Sequence, residues 1–419
     1  MILTRKGLTL IRQFFVILIL VFLFSVFPVE AQNRISLPRT GLEPNDIAVI
    51  INENDPLSRQ IGNYYQQARQ IPETNIIKLR FSSERSVLTP KEFRQLKATI
   101  DQLTPKHVQA FAVAWTTPYR VGCMSITSAL AFGFDKKYCA KPCETTAPSP
   151  YFNSSSLDPY DDYKLRPAMM LAGTSFEHIK ALIDRGIHSD YSFPKGQAYL
   201  MNTSDKARNS RAAGFTQTVK ELTGIFPVQI LMTDYISDRN NVLFYFTGLK
   251  AVPMLETLHF LPGALADHLT SAGGMLTDTL QMSSLRWLEA GATASYGTVV
   301  EPCSFSQKFP SPMIAMLQYA LGASALEAYW KSVAWPGQGV FIGEPLAKPF
   351  APHLKEVSPG QFVLKFLSSR TGRLRIEQSF SAAGPFRLFT RQKIIRRGEN
   401  QFKFKFNGKT DGYLNIHWH

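Results

Sequence analysis

The chain has 419 residues, 45% of them hydrophobic, with 46 Lys and Arg against 32 Asp and Glu, a formal net charge of +14. That length and apolar content can bury a large core and leave room for two or three domains. With 30 Phe, 15 Tyr, 5 Trp and only four cysteines, wholesale disorder, a collagen-like chain and a disulfide-packed miniature fold are all excluded.

The first thirty residues have three parts. Arg5, Lys6 and Arg12 precede an apolar run from Phe14 to Phe27 broken only by Ser25, and Val29-Glu30-Ala31 supplies small residues before Gln32. This is the pattern of a secretory signal peptide with cleavage near Ala31. An uncleaved anchor is the competing reading, but the run falls short of the ~20 residues a bilayer core asks for. No later segment reaches 18 uninterrupted apolar residues, so a mature chain that does not span a membrane is expected, in the periplasm or at the cell surface.

From residue 46 the pattern alternates. "DIAVIIN" (46–52) reads as a strand and 56–70 as a helix, followed by the strand "NIIKLR" (75–80). A helix over 88–103 has Thr89 as N-cap and Pro90 at its first position, and "VQAFAVAW" (108–115) reads as a third strand. Residues 116–166 form a long insertion rich in Pro, Ser, Tyr and Asp that holds three of the four cysteines. It is expected to be an ordered lid or site wall, because long structureless loops are rare in compact domains.

Alternation then resumes. Strands are expected at 167–173, 196–202, 228–234, 241–248, 260–270 and 292–300, with helices after Ser175, through 205–222, over 280–291 and around 311–333. The fold class is therefore α/β, a mainly parallel sheet with helices on both faces. From His353 the periodicity changes to two, and five Gly/Asn-punctuated runs predict a small antiparallel β module, sandwich-like, over 353–419. The domain reading is thus 1–31 signal segment, 32–352 α/β domain and 353–419 β module.

Ligands in open parallel sheets bind beyond the carboxyl ends of the strands. Three such places stand out. Thr116, Tyr119, Arg120 and Cys123 follow one strand, and a guanidinium there suits a carboxylate or phosphate; the simpler role is to tie down the insertion. Asp267 and His268 end another strand, where an imidazole could act as a base, although neighbours on a strand face opposite ways. Tyr296, Glu301 and Cys303 follow a third.

Cys303 could serve as a nucleophile with His268, or form a disulfide with Cys123; export favours the disulfide. Cys139 and Cys143, four apart, could also bridge locally, and four cysteines allow three connectivities. The motifs GxSxG, HExxH and GxxxxGK[ST] are absent, no metal-ligand spacing occurs, and no cofactor is expected.

"AVIINENDPLSRQIGNYYQQARQIP", "AWTTPYRVGCMSITSALAFGFD", "LPGALADHLTSAGGMLTD", "QMSSLRWLEAGATASYGTVVEPC" and "EAYWKSVAWPGQGVFIGEPLAKPF" resemble a family of uncharacterised exported bacterial proteins. That family occurs alongside exosortase, the transpeptidase that sorts proteins with a PEP-type C-terminal signal. The resemblance spans roughly residues 45–350 and implies an envelope context rather than a reaction.

A more distant resemblance in the order of elements is to caspase-like peptidases of the gingipain type. There a His-Gly ends one strand, a nucleophilic Cys ends the next, and a "GDP"-like turn closes the domain. Here Thr247-Gly248 stands at the His-Gly position, Asp267-His268 lies near the Cys position, and "IGEP" (342–345) stands for the closing turn. The resemblance implies a non-catalytic relative that serves in binding or assembly, with a cysteine peptidase using Cys303 and His268 as the alternative.

The charge is unevenly placed. Residues 353–419 hold 13 Lys/Arg against 4 Asp/Glu, whereas 32–352 hold 30 against 27. Export disfavours nucleic acid as the partner of that tail. Acidic polysaccharide, anionic lipid headgroups or an envelope protein suit it, and a merely solvated basic face is the plainer alternative.

Overall fold

Alternate residues of the first long strand face two separate cores. β1 (Ile47–Asn52) is buried along its whole length: Ile47, Val49 and Ile51 join one apolar cluster, while Ala48 and Ile50 join another on the opposite face. A strand that is apolar on both faces needs helices above and below it. This computed structural model describes residues 34–140, 143–277, 279–389, 393–407 and 411–418. The segment read as a signal peptide, up to Ala31, lies outside them.

The helices start where the caps stand. α1 (Pro56–Arg69) opens with Asp55 accepting from the Leu57 amide at 2.9 Å, and ends as Gln70 turns to a φ of 54°. α2 (Pro90–Leu103) begins at Thr89, whose hydroxyl and the Glu92 carboxylate satisfy each other's backbone amides. α3 (Ile126–Phe132) opens the insertion, and α4 (Phe176–Ser189), α5 (Phe215–Leu222), α6 (Leu285–Ala290), α7 (Pro312–Ala320) and α8 (Ala325–Ser332) follow. One apolar cluster takes side chains from α1, α4, α5, α7 and α8 and Ala131 of α3; the clusters on the other face take them from α2, α3 and α6 and Leu182 of α4.

Two expected helices are shorter than their periodicity. The run 311–333 breaks into α7 and α8 because Gly322 takes a φ of +94° and Ser324 then caps a new helix in a capping box with Glu327. The run 280–291 is helical only from Leu285, because the Gln281 side chain is drawn away to accept from Thr270 and the Ala272 amide.

The main sheet has ten strands. After β1 come β2 (Ile76–Leu79), β3 (Ala110–Val113), β4 (Ala168–Met170), β5 (Gln197–Met201), β6 (Val228–Leu231), β7 (Arg239–Thr247), β8 (Leu258–His268), β9 (Ala294–Thr298) and β10 (Gly339–Gly343). Their lateral order is β6-β5-β7-β8-β9-β10-β4-β3-β1-β2. All neighbours are parallel except β9 and β10.

The sheet is therefore two five-stranded parallel halves, β2-β1-β3-β4-β10 and β6-β5-β7-β8-β9, each wired in the doubly wound order 2-1-3-4-5. Because the join is antiparallel, the strands of the two halves end at opposite edges. The mainly parallel α/β architecture read from the sequence is present; the doubling is additional.

Beyond β10 the chain turns through Glu344, which is buried. Its carboxylate takes the Arg69 guanidinium on both oxygens (3.0 and 2.5 Å) and the Tyr65 hydroxyl at 2.7 Å, and Arg69 also pairs with Asp190. Strands of the C-terminal region form two small sheets. β11 (His353–Ser358) pairs antiparallel with β12 (Gln361–Ser368), which is flanked on its other side by β15 (Gly398–Lys405). β13 (Gly372–Ser379) pairs antiparallel with β16 (Tyr413–Trp418) and with β14 (Arg387–Leu388); the short strand Ile35–Ser36 lies parallel to β16.

By contacts the chain forms two units. One comprises Arg39–Gly372 and Ile394–Phe404; the other comprises Arg373–Lys393, Lys405–His419 and the described residues before Arg39. In the second, Leu374, Ile376, Leu414 and Ile416 point to one buried face, the period of two expected of these runs.

Replacing Glu344 with Ala should destabilise the protein by about 3–5 kcal/mol, since Arg69 is then buried without its main counter-ion. Replacing Asp101 with Ala, which breaks the more exposed helical pair with Lys97, should change stability by less than about 1 kcal/mol. Urea midpoints measure both, and equal shifts would contradict this reading of the buried cluster.

Candidate functional site

The second half of the sheet brings the expected residues to one edge. Thr247 of β7 and His268 of β8 are direct register partners, as are Phe246 and Asp267 one step earlier. His268 faces Trp287, and Asp267 faces the opposite side of the sheet, as neighbours on a strand must. The Asp-His pair therefore does not act as a unit.

Each side chain is already committed. The Trp287 indole N–H donates to His268 Nδ1 at 2.9 Å, and His268 Nε2 lies 3.1 Å from the Met282 carbonyl. An indole only donates and a carbonyl only accepts, so the imidazole is neutral with its proton on Nε2. Burial lowers its pKa to about 4, against the pull of the Met282 carbonyl, and Arg211 and Arg208 push the same way as burial. Asp267 forms an ion pair with Arg211 at 2.6 Å; burial outweighs that attraction and raises its pKa to about 6. A histidine with both nitrogens occupied and no exposed surface cannot collect a proton from a substrate.

The crevice at this edge is shut. In a 2-1-3-4-5 half the switch point lies between the first and third strands, here β5 and β7. The loop after β5 presses on Gly248 so closely that a Cβ there would stand 1.9 Å from the Arg208 carbonyl oxygen. The Thr203 hydroxyl donates to the Gly248 carbonyl at 2.8 Å, and Arg208 Nε donates to the Thr270 hydroxyl at 3.0 Å. Thr247 is buried below, its hydroxyl without a hydrogen-bond partner among the described residues. In the first half, beyond the ends of β1 and β3, the Phe81 backbone exchanges hydrogen bonds with the Asn52 side-chain amide, and its ring packs edge-on against Trp115.

The cysteines pair as Cys123–Cys139 and Cys143–Cys303. The favoured Cys123–Cys303 link and the local Cys139–Cys143 link, which belong to one connectivity, are both corrected: of the other two, the one formed is Cys123–Cys139 with Cys143–Cys303. It closes a small loop within the insertion and ties the insertion to the chain after β9. In this state Cys303 offers no thiolate. Glu301 accepts from the Cys303 amide at 2.7 Å and so holds the turn that presents the sulfur.

The other expected binding residues have local partners too. The Tyr296 hydroxyl donates to the Lys308 carbonyl, and Lys308 Nζ reaches the Glu144 carbonyl of the insertion at 2.7 Å. The Thr116 hydroxyl bonds the Gly173 backbone twice, at 2.8 and 3.0 Å. The Tyr119 hydroxyl lies 3.0 Å from the Thr277 hydroxyl, and Arg120 Nε donates to the Gly122 carbonyl at 2.5 Å. Among the described residues no hydrogen bond or ion pair joins Arg120, His268 and Glu301. No group of three His, Cys, Asp or Glu there is placed to hold a metal, and no helix there is long and apolar enough to cross a membrane.

Arg211, Trp287 and the Tyr65–Arg69–Asp190–Glu344 cluster had no signal in the sequence. Their partners lie far along the chain, and no short motif encodes such pairs.

The structure is similar to one solved as "Structure of Protease", at 10% identity and a TM-score of 0.39, over 90% of this chain and 97% of that one. At that level the likeness carries no statement about activity. No family model matches the chain, and no curated protein does.

Asp267 and His268 should bend the pH dependence of stability in opposite directions. Unfolded His268 takes up a proton near 6.5 and folded His268 only near 4, so its contribution is complete above ~6.5 and is lost as pH falls towards 4. Unfolded Asp267 loses its proton near 3.8 and the folded group near 6, so its contribution is complete below ~3.8 and is lost as pH rises towards 6. Between pH 4 and 6 the two largely cancel. Chemical denaturation of His268→Gln should show stability falling with rising pH relative to wild type, and Asp267→Asn the reverse, each by up to about 1.4 kcal/mol per pH unit. Parallel pH profiles for the three proteins would contradict the assigned burial.

Proposed function

We propose that the chain is an exported, envelope-associated protein whose caspase-like α/β domain binds or assembles rather than cuts, within an exosortase-linked pathway. One observation carries this reading: the two strand ends where a cysteine-peptidase dyad would stand hold Thr247-Gly248 and His268. Gly248 is held against the loop after β5, and His268 is buried with both nitrogens occupied by Trp287 and Met282. The disulfide on Cys303 supports it further, because the nucleophile of the alternative reading is then covalently blocked. Two disulfides also suit an oxidising compartment.

The C-terminal strands supply the partner surface in this proposal. Along β15, Lys403 and Lys405 are exposed, while Phe402 and Phe404, which alternate with them, lie over Phe366 and Phe362 of β12. Such an alternation offers an aqueous cationic face to acidic polysaccharide or anionic headgroups.

A thiol count on the exported protein, under denaturing, non-reducing conditions, should find no alkylatable cysteine. A free Cys303 would overturn the disulfide-blocked reading and restore the peptidase. Sedimentation with anionic vesicles or acidic polysaccharide should be salt-sensitive and fall at least several-fold in Lys403→Glu/Lys405→Glu. Binding unchanged by salt and by charge reversal would remove the tail from the proposal.

A further inference from the structure

A half-buried arginine in the α/β domain, Arg185, has no carboxylate partner among the described residues. Arg185, in the third turn of α4, directs Nη2 to the carbonyls of Leu288 (3.1 Å) and Ala292 (2.7 Å), capping the end of α6. Among the described residues no carboxylate oxygen lies within 4.0 Å of the guanidinium, and Nε is buried without a hydrogen-bond partner. Burial alone pushes its pKa down to about 10, with no acidic group opposing the shift. Of the buried arginines, Arg69 and Arg211 each hold a carboxylate, and Arg166 lies over the Tyr160 ring with Nε on the Val108 carbonyl. The partial negative charge at the end of a six-residue helix is weak compensation for a whole cation.

The same guanidinium lines a cavity. It is about 60 Å³, several times the roughly 10–15 Å³ that one water needs. Ala172 and Gly173 at the carboxyl end of β4 form its back, and Leu182, Leu285 and Leu288 form apolar walls. Glu289, also on the lining, is bound to Arg286 at 2.5 Å. This is a strand-end position of the kind where α/β sheets take ligands, and it lies in the first half, away from the closed edge described above.

We propose that this cavity is a binding site for a carboxylate carried on a short aliphatic chain, with Arg185 as its counter-ion. The charge of the site selects the carboxylate over its amide. The leucine walls select a carbon chain over a fully hydrated anion such as phosphate. A free short-chain acid and the C-terminal carboxylate of a peptide share this chemistry.

The test is titration of the intact mature protein, labelled with ¹⁵N-arginine, with propionate, propionamide, inorganic phosphate, and a tripeptide ending in Ala as free acid or as amide. Propionate should shift the Arg185 Nε–H resonance saturably, and propionamide and phosphate should not. Arg185→Gln should weaken propionate at least tenfold. Glu289→Gln, which removes a competing carboxylate from the wall without touching the guanidinium, should tighten it several-fold, so the proposal stays testable if Arg185→Gln fails to fold. Tighter binding of the free-acid tripeptide than of propionate assigns the site to a peptide end; weaker binding assigns it to a small acid. Equal binding of acid and amide, or an Nε–H resonance unmoved in both wild type and Glu289→Gln, overturns the proposal.

Discussion

The antiparallel contact between β9 and β10 is the constraint on which the rest of the α/β domain depends. Five register pairs, from Ala294–Gly343 to Thr298–Gly339, join two halves that are otherwise wholly parallel. β10 is the last strand of the domain in the chain, yet it completes the first half beside β4. A chain that has already folded back through the second half must therefore return and close the first. The buried Glu344 just beyond β10 fixes that return, because Arg69, Tyr65 and Asp190 all come from elements laid down much earlier. A carboxylate removed from water in this way is tolerable only with its partners in place, which makes closure cooperative.

That closure decides what the strand ends can do. With the halves antiparallel, β3 ends at one edge and β8 and β9 end at the other, and the insertion after β3 reaches the segments after β8 and β9 through Tyr119–Thr277 and the Cys143–Cys303 disulfide. At the second-half edge, hydrogen bonds from Thr203 and Arg208 hold a loop against Gly248, and Trp287 takes one nitrogen of His268. These groups stabilise a closed edge. Arg185 is half-buried and caps α6, yet it pairs with no carboxylate among the described residues.

The elements were legible wherever a local rule decides them. Thr89 with Pro90 marks a helix start that coincides with that of α2, because capping depends on residues only a few positions apart. Strand runs such as 241–248 and 413–418 are legible because apolar periodicity survives in any context. The split of 311–333 into two helices turns on Gly322 adopting a positive φ, which the sequence permits without demanding. The doubling of the sheet, the pairing of the cysteines and the burial of His268 depend on contacts between distant segments. Asp267 and His268 are conspicuous as a pair, yet their roles come from Arg211 and Trp287, 56 and 19 positions away.

The proposed binding or assembly role requires that the edge formed by Thr247, Gly248 and His268 not carry out peptide cleavage. Incubating the mature protein, oxidised and reduced, with a diverse peptide library, and reading new termini by mass spectrometry, tests it most directly. The account predicts the same background of termini from wild type and from the His268→Gln/Cys303→Ser variant in both redox states. Termini made by the wild type and lost in that folded variant would contradict it.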